Sequence, residues 1–386
     1  MDIMSILAKL KVRKQLISAF KSAGLYLGNE EQPIFPKIHS VIIDDRSTKL
    51  TFSLRTGMDP NLIKKKMYVF HQKFGKNTQI KGEIKTFQLT VYAAGIPSSL
   101  LYDYEKYVAL FKGLSIPIVA GMDLNGNMVV FDLVKNPHLL IAGETGSGKS
   151  TQLRSILTTL IKTLPPERLQ LYLCDLKHSE FHVFRQIEHV QGVFVTAKEM
   201  MPVFTLIQGE MKRRGDLLDH HELSHVDDLP DPPPYIVVCI DEVALLQKEK
   251  SLMELVEEVS AIGRALGVFL ILSMQRPDSK VLDGKLKNNL TVRMGFKCAD
   301  LINSRIVGTP GSEKLKEEGR FLIKLPAFSE NKELQAPFLS LDMAKKLLMA
   351  HWSAKTKDRR KPPLNASSNV IDLKENENGI FEVLDE

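Results

Sequence analysis

The run Gly143-Glu-Thr-Gly-Ser-Gly-Lys-Ser150 restricts this chain more than any other feature of its 386 residues. It is a complete GxxxxGK[ST] pattern, entered from the apolar run His138-Leu-Leu-Ile-Ala142 and left through Thr151–Leu164, a stretch of helical composition. Glycines at 143, 146 and 148 let the backbone fold tightly enough for successive N–H groups to face an anion, and the helix that follows adds its positive end. The pattern therefore predicts a strand, a phosphate-binding loop and a helix, in that order. Gly143, Glu144, Thr145, Gly146, Ser147, Gly148, Lys149, Ser150 and Thr151 are the candidate nucleotide contacts. Lys149 is expected to reach the β- and γ-phosphates and Ser150 to ligate a magnesium ion, so ATP and Mg2+ are the implied cofactors.

A second apolar run, Tyr235-Ile-Val-Val-Cys-Ile240, ends in Asp241-Glu242. A strand of this kind delivers Asp241 to the Mg2+, directly or through water, and leaves Glu242 positioned as the general base for an attacking water. A phosphoryl transfer to a small acceptor does not need the second acid, so the pair favours hydrolysis. A third run, Val268-Phe-Leu-Ile-Leu-Ser273, leads into Met274-Gln-Arg-Pro277. Gln275 at its end is the candidate γ-phosphate sensor; Arg276 either shares that role or pairs with a surface acid.

Around these runs, strand-length and helix-length segments alternate from Leu139 to Lys324, the signature of an α/β parallel sheet. Strands are expected at 139–142, 169–174, 235–240, 268–273 and 292–296, with helices at 150–163, 197–219, 252–265 and 282–288. A hairpin at 116–131 feeds this domain. Residues 1–30 read as a basic amphipathic helix with its breakers, carrying Lys9, Lys11, Arg13, Lys14 and Lys21. Residues 31–110 read as a small α+β domain, with strands near 41–43, 50–54 and 87–92 and a helix over 61–74. Residues 111–330 form the motor-sized α/β domain, and 331–386 an extension ending in an acidic, disordered tail. A polar loop at 219–234 carries His220, His221 and His225 and is a weak metal candidate.

Composition narrows the class without naming a partner. Lys plus Arg (52) exceed Asp plus Glu (46) by 6, which permits nucleic acid as a partner without demanding it. No apolar run approaches the roughly 18 residues of a membrane span. Cys174, Cys239 and Cys298 are far apart and lack a CxxC spacing, which argues against a disulfide scaffold or a Cys-based zinc site. Each is expected to pack as a small apolar residue in a strand. A cytoplasmic multi-domain protein fits these features.

Taken in order, residues 138–150, Asp175-Leu-Lys177, Asp241-Glu242, Gly263-Arg-Ala-Leu-Gly267 and Ser273–Pro277 resemble the motor domain of the FtsK/SpoIIIE DNA translocases, within the HerA–FtsK group. Ile302-Asn-Ser-Arg305, Gly311–Leu315 and Gly319-Arg-Phe-Leu322 match the closing segments of that family, so the resemblance covers about residues 110–325. It implies a RecA-like P-loop ATPase core with a mostly parallel sheet, plus the small N-terminal α+β domain. It also implies a homo-oligomeric ring, usually hexameric, that threads double-stranded DNA and holds ATP between neighbouring subunits. An arginine from the next subunit then stabilises the transferred phosphoryl. Arg264 is the first candidate for that finger and Arg305 the second; for each, a helix-surface arginine is the alternative. Asp175 and Lys177 match the acidic-basic pair after the second strand. Lys280, Lys285, Lys287 and Arg293 either line a pore loop or are ordinary surface.

Two parts of full-length chromosome translocases have no counterpart in the sequence: membrane spans ahead of the motor and a winged helix behind it. The expectation is therefore a DNA-pumping motor of a plasmid, conjugative element or phage, or one for DNA segregation. A relaxase or a membrane transfer apparatus is the expected partner, and peripheral membrane contact is open. A protein-export ATPase of a specialised secretion system is the alternative.

Overall fold

The computed structural model describes residues 3–282 and 284–353. Its contacts divide into two compact units: residues up to Thr163 with Ser273–Ala344, and Leu164–Leu272 with the described residues 345–353.

The first unit opens with helix α1 (Ile3–Ala23), followed by β1 (Lys37–Ile43), β2 (Ser47–Ser53), α2 (Asn61–Lys65), α3 (Met67–Phe74), β3 (Thr78–Gly82) and β4 (Thr86–Tyr92). The strands pair antiparallel in the order β1-β2-β4-β3. Leu16, Ala19, Phe20 and Ala23 recur at the spacing of one helix face, and all four are buried with Leu50, Phe52, Phe70 and Leu89. Phe20 meets Phe52 edge-on at 4.9 Å. The amphipathic helix read in residues 1–30 thus shares one core with the small α+β domain, while Met4, Ile6, Leu7 and Leu10 on its first turns are exposed. The single helix expected over 61–74 is two helices, because Lys66 (φ −104, ψ 16) leaves the helical path between them. The chain continues through α4 (Tyr104–Val108) and the hairpin β5 (Pro117–Met122) and β6 (Met128–Asp132), whose antiparallel pairing matches the expectation. Strand β7 (Leu139–Ala142) and helix α5 (Lys149–Thr163) flank the glycine-rich loop.

The second unit contains β8 (Leu169–Asp175), β9 (Val190–Phe194), α6 (Ala197–His221), β10 (Tyr235–Asp241), α7 (Lys250–Ile262) and β11 (Val268–Met274), the last two residues of β11 belonging to the first unit. The strands run parallel in the order β11-β10-β8-β9. All residues of β10 and β11 are buried, which is why they read as unbroken apolar runs. Helix α6 is capped by Thr196, whose side chain accepts from Glu199 N, while the Glu199 carboxylate accepts from Val195 N. It extends through His221, so His220 and His221 lie on a helix and not in the expected loop. No group of metal-binding type occurs among the described residues.

The first unit resumes with α8 (Gly284–Asn289), β12 (Val292–Phe296), α9 (Leu301–Val307), β13 (Arg320–Lys324) and β14 (Lys332–Gln335). Its larger set of strands is ordered β6-β5-β14-β13-β12-β7. Strands β12 and β7 are parallel, and the remainder form an antiparallel arm, of which only the β5–β6 hairpin was expected from the sequence. Cys174 and Cys239 are buried in strands as expected. Cys298 differs: it is buried past the end of β12, where the Ser312 hydroxyl donates to its sulfur at 3.3 Å. No helix among the described residues is long and apolar enough to cross a membrane. The expected acidic tail lies outside the described residues.

Candidate nucleotide site

Strand β7 is wholly buried and holds the start of the loop rigid. At Gly143 (φ 148) an added Cβ would stand 2.7 Å from Phe296 Cβ and 3.0 Å from the Lys297 carbonyl oxygen, so packing requires glycine. Gly148 (φ 103) is equally constrained, its Cβ position lying 2.7 Å from Gly319 Cα. Gly146 (φ 78) has nothing within 4 Å, and its backbone angle alone selects glycine at the exposed apex. Four hydrogen bonds fix the loop: Gly143 N to Met274 O (3.2 Å), Glu144 N to Lys297 O (2.8 Å), and Ser147 N and Oγ to Glu144 O (3.3 and 2.6 Å). The first helical bond of α5 runs from Gln152 N to Gly148 O. The first-turn N–H groups of such a helix have no acceptors within it, and Lys149, at 6% exposure, begins it. An open apex, helix-end donors and a buried lysine suit a chain of phosphates. The hydroxyl of Ser150 is a hard oxygen donor of the kind that Mg2+ takes. Thr145 is exposed, and Ser150 and Thr151 are half-buried.

In the second unit, the pairing of β10 with β8 sets Asp241 opposite Asp175. The two acidic-ended strands thereby bring together Asp175, Lys177, Asp241 and Glu242, residues far apart in sequence. Lys177 Nζ lies 2.6 Å from Glu242 Oε2. Asp175 braces the turn that follows its own strand, its carboxylate accepting from Ser179 N, Glu180 N and Phe181 N at 3.0, 3.2 and 3.1 Å. Asp241 and Glu242 are both buried, and Glu242 adopts the left-handed conformation (φ 59, ψ 59), which costs an L-residue about 1 kcal/mol. Non-glycine residues held this way cluster at functional sites.

Gln275, half-buried, directly follows Met274, whose carbonyl receives Gly143 N, so the candidate sensor adjoins the start of the loop. Arg276 is exposed. Arg264 is exposed on a turn between α7 and β11 that needs Gly263, whose added Cβ would be 2.4 Å from the carbonyl oxygens of both Val259 and Val268. Arg305 is exposed on α9. Arg293 fits neither of the two readings offered for it, pore loop or ordinary surface. It is buried in β12, its guanidinium donating to the Leu290 and Lys287 carbonyls at 3.0 and 2.5 Å. Lys287 is half-buried, and burial holds its ammonium below the usual lysine range. Lys280 and Lys285 remain exposed.

Two arginines are buried, which their sequence context did not lead one to expect. Arg214 on α6 is 1% exposed; it donates to Glu210 Oε1, Leu266 O and Pro234 O, each at 2.8 Å, and so fixes the turn bearing Arg264. Arg320 is buried and donates to Gln335 Oε1 (2.9 Å), Glu333 Oε1 (2.9 Å) and Pro97 O (2.9 Å). Only the Glu210–Arg214 spacing of one helical turn hinted at either.

Residues 112–231 match the FtsK/SpoIIIE family. The chain carries an FtsK/SpoIIIE domain. The matched segment includes the phosphate loop, Asp175 and Lys177, and ends just before β10. The DNA translocase FtsK of Helicobacter pylori (strain J99) is 32% identical over 253 residues, 62% of this chain and 30% of that protein. FtsK of Borreliella burgdorferi is 35% identical over 227 residues, covering 55% and 29%. The chain thus spans about 30% of the length of these curated relatives. Among solved structures, the pCW3 conjugation coupling protein TcpA, in monomer form with ATPγS, is 27% identical with a TM-score of 0.60, covering 87% of this chain and 98% of that one. The cytoplasmic domain of the Thermomonospora curvata type VII secretion ATPase EccC is 27% identical with a TM-score of 0.56, covering 65% and 33%. The FtsK/SpoIIIE domain therefore sits in an α/β core of the RecA-like P-loop ATPase fold, as the resemblance implied.

Proposed function

We propose that this chain is an ATP-driven motor that moves double-stranded DNA, working as a ring of identical subunits, six by family habit. In this reading Lys149 binds the β- and γ-phosphates, and residues 143–151 wrap the phosphate chain. Ser150 and Asp241 hold Mg2+, which when bound neutralises charge on the phosphate oxygens. Glu242 accepts a proton from the water that attacks the γ-phosphorus, the bond to the β-phosphate oxygen breaks, and ADP and phosphate leave. Gln275 senses the γ-phosphate, and Arg264, with Arg305 as the second candidate, reaches the site of a neighbouring subunit. The observation that carries the reading is the glycine-constrained phosphate loop inside an FtsK/SpoIIIE domain.

A coupling-type role in DNA transfer is supported by the likeness to the conjugation coupling protein TcpA, and a relaxase or membrane-apparatus partner and a cytoplasmic or peripheral location belong to the same proposal. That structure is matched over 98% of its length, against 33% for the secretion ATPase EccC. Protein export remains the second reading because EccC is as similar in identity over the part it shares. One experiment separates them: ATP turnover measured against double-stranded DNA of increasing length, against single strands and against secretion-substrate peptides, with Lys149→Ala as control. Turnover that rises with duplex length and vanishes in the control is expected. Turnover indifferent to DNA and stimulated by peptide would move the chain to the export class.

A further inference from the structure

The positive charge of the chain is gathered in its first quarter. Residues 1–100 hold 16 of the 52 lysines and arginines but 7 of the 46 acids, a net +9 against +6 for the whole sequence, so the remainder is net negative. Within that stretch the segregation is sharper. Helices α1, α2 and α3, with Lys66 between the last two, contain nine lysines and arginines and not one aspartate or glutamate.

Packing sets which way these charges face. Leu16, Phe20, Ile63 and Phe70 hold the three helices to one core with the sheet, where Phe20 meets Phe52 and Phe70 edge-on at 4.9 and 6.3 Å. Gln15 Nε2 donates to the Lys73 carbonyl and ties α1 to α3. Steps of three, four and seven residues connect Leu7, Leu10, Lys14 and Lys21 into one stripe, on the side of α1 away from Leu16 and Ala23. All four are exposed, as are Lys11, and Lys64, Lys65 and Lys73 on α2 and α3.

The outer surface of these helices is not only cationic. Among the described residues, Val12 is the first of α1 to join the core, so about 14 Å of helix stands clear of it. There Leu7 is 60% exposed, and Ile6 and Leu10 are exposed as well. Tyr68 of α3 is exposed, with the Lys66 ammonium 5.8 Å from its ring centroid. Contact with nucleic-acid phosphates uses cations and hydrogen-bond donors and has no need of aliphatic side chains held in water. An anionic bilayer surface takes both: cations meet the headgroup phosphates, while apolar side chains enter the boundary with the acyl chains. Tyrosine, with an apolar body and a polar tip, suits that boundary too.

We propose that the α1–α3 layer of the N-terminal module docks on an anionic phospholipid surface, with the first turns of α1 inserted and Lys11, Lys14 and Lys21 against the headgroups. This deepens the peripheral location included in the proposed function and does not depend on the chemistry of the motor.

Sedimentation of the full chain with vesicles tests it, using phosphatidylcholine alone and an equal mixture of phosphatidylcholine and phosphatidylglycerol. Binding to the mixed vesicles and not to the neutral ones is expected. Each cation near such a surface strengthens binding about fivefold, so replacing Lys11, Lys14 and Lys21 together by Glu should weaken it about a hundredfold or more. Leu7→Glu should weaken it about tenfold or more. Lys81→Glu makes the same charge change at an exposed position of β3, off the helical layer, and should stay within about threefold of the unaltered chain. Thermal melts check that the variants keep their core, which none of the four positions enters. Binding to neither vesicle, equal binding to both, or equal losses in the triple variant and the Lys81→Glu control overturn the proposal. A triple variant that keeps vesicle binding but loses retention of duplex DNA at low salt also overturns it, and makes the layer a nucleic-acid surface. Absent vesicle binding with DNA-stimulated ATP turnover intact ends this proposal and leaves the motor standing.

Discussion

Lys177 Nζ and Glu242 Oε2 are 2.6 Å apart, so the residue proposed to activate water is gripped by a lysine 65 positions away in sequence. Glu242 is 7% exposed at its side chain and already in a left-handed backbone conformation, and a buried carboxylate in that state depends on its partner for orientation. Lys177→Met is expected to lower kcat for ATP by roughly 10- to 100-fold with KM little changed, because misplacing a catalytic group acts on the chemical step and not on substrate binding. Lys177→Arg should recover part of the loss. Steady-state kinetics of the two variants decide it, and a rise in KM at constant kcat would place Lys177 on the substrate.

Gly148 and Gly146 offer an internal comparison. Both have positive φ, but only Gly148 has backbone within 2.7 Å of where a Cβ would go. Gly148→Ala is expected to cost about 2 kcal/mol or more and to abolish nucleotide binding, whereas Gly146→Ala costs about 1 kcal/mol from conformation alone. Thermal melts of the two, with and without ATPγS, check this. Equal destabilisation would mean that the contact of Gly148 with Gly319 is soft.

Arg214→Ala should lower stability by about 3 kcal/mol, since it leaves the Leu266 and Pro234 carbonyls without their donor and Glu210 with Arg213 alone. Burial raises the Glu210 pKa, but hydrogen bonds from Arg213 and Arg214 outweigh it and hold the carboxyl below its usual range. Urea titration gives the loss directly, and a value under about 1 kcal/mol would show that the turn at 263–267 holds without the clamp.

His189 supplies a pH dependence. It is buried, and its Nε2 donates to the Leu164 carbonyl at 2.7 Å; the groups around it are His351, Glu188 and Glu167. Burial pushes its pKa down, partly countered by that hydrogen bond. A folded value below the unfolded one, near 6.5, means that the neutral ring's contribution is present above about pH 6.5 and is lost as pH falls through the folded value. The thermal midpoint should therefore drop between pH 7.5 and 5.5, and drop less in His189→Gln. Parallel slopes for the two proteins would refute the assignment.

What was legible in the sequence is what local chemistry dictates. The phosphate loop is set by backbone angles and close approaches at Gly143 and Gly148, and strands β7, β10 and β11 are buried on both faces, so both leave unmistakable runs. Strands β3, β13 and β14 escaped notice because Thr78-Gln-Ile-Lys-Gly, Arg320-Phe-Leu-Ile-Lys and Lys332-Glu-Leu-Gln carry polar residues and owe their state to backbone pairing with neighbours distant in the chain. Strand β9 has a glycine at its centre. The Lys177–Glu242 pair depends on the register of β8 against β10, which no spacing along the chain encodes. Arg214, Arg293 and Arg320 look like surface charge until their carbonyl partners are seen.

Gly319 and Arg320 are consecutive, yet they hold different parts of the chain. The first touches the phosphate loop through Ser147, and the second clasps the backbone at Pro97, where the small N-terminal module hands over to the motor. A single peptide link thus stands between the loop proposed to hold phosphate and the strap at Pro97. In the proposed motor, a shift of the loop on filling or emptying would reach the strap through that one link.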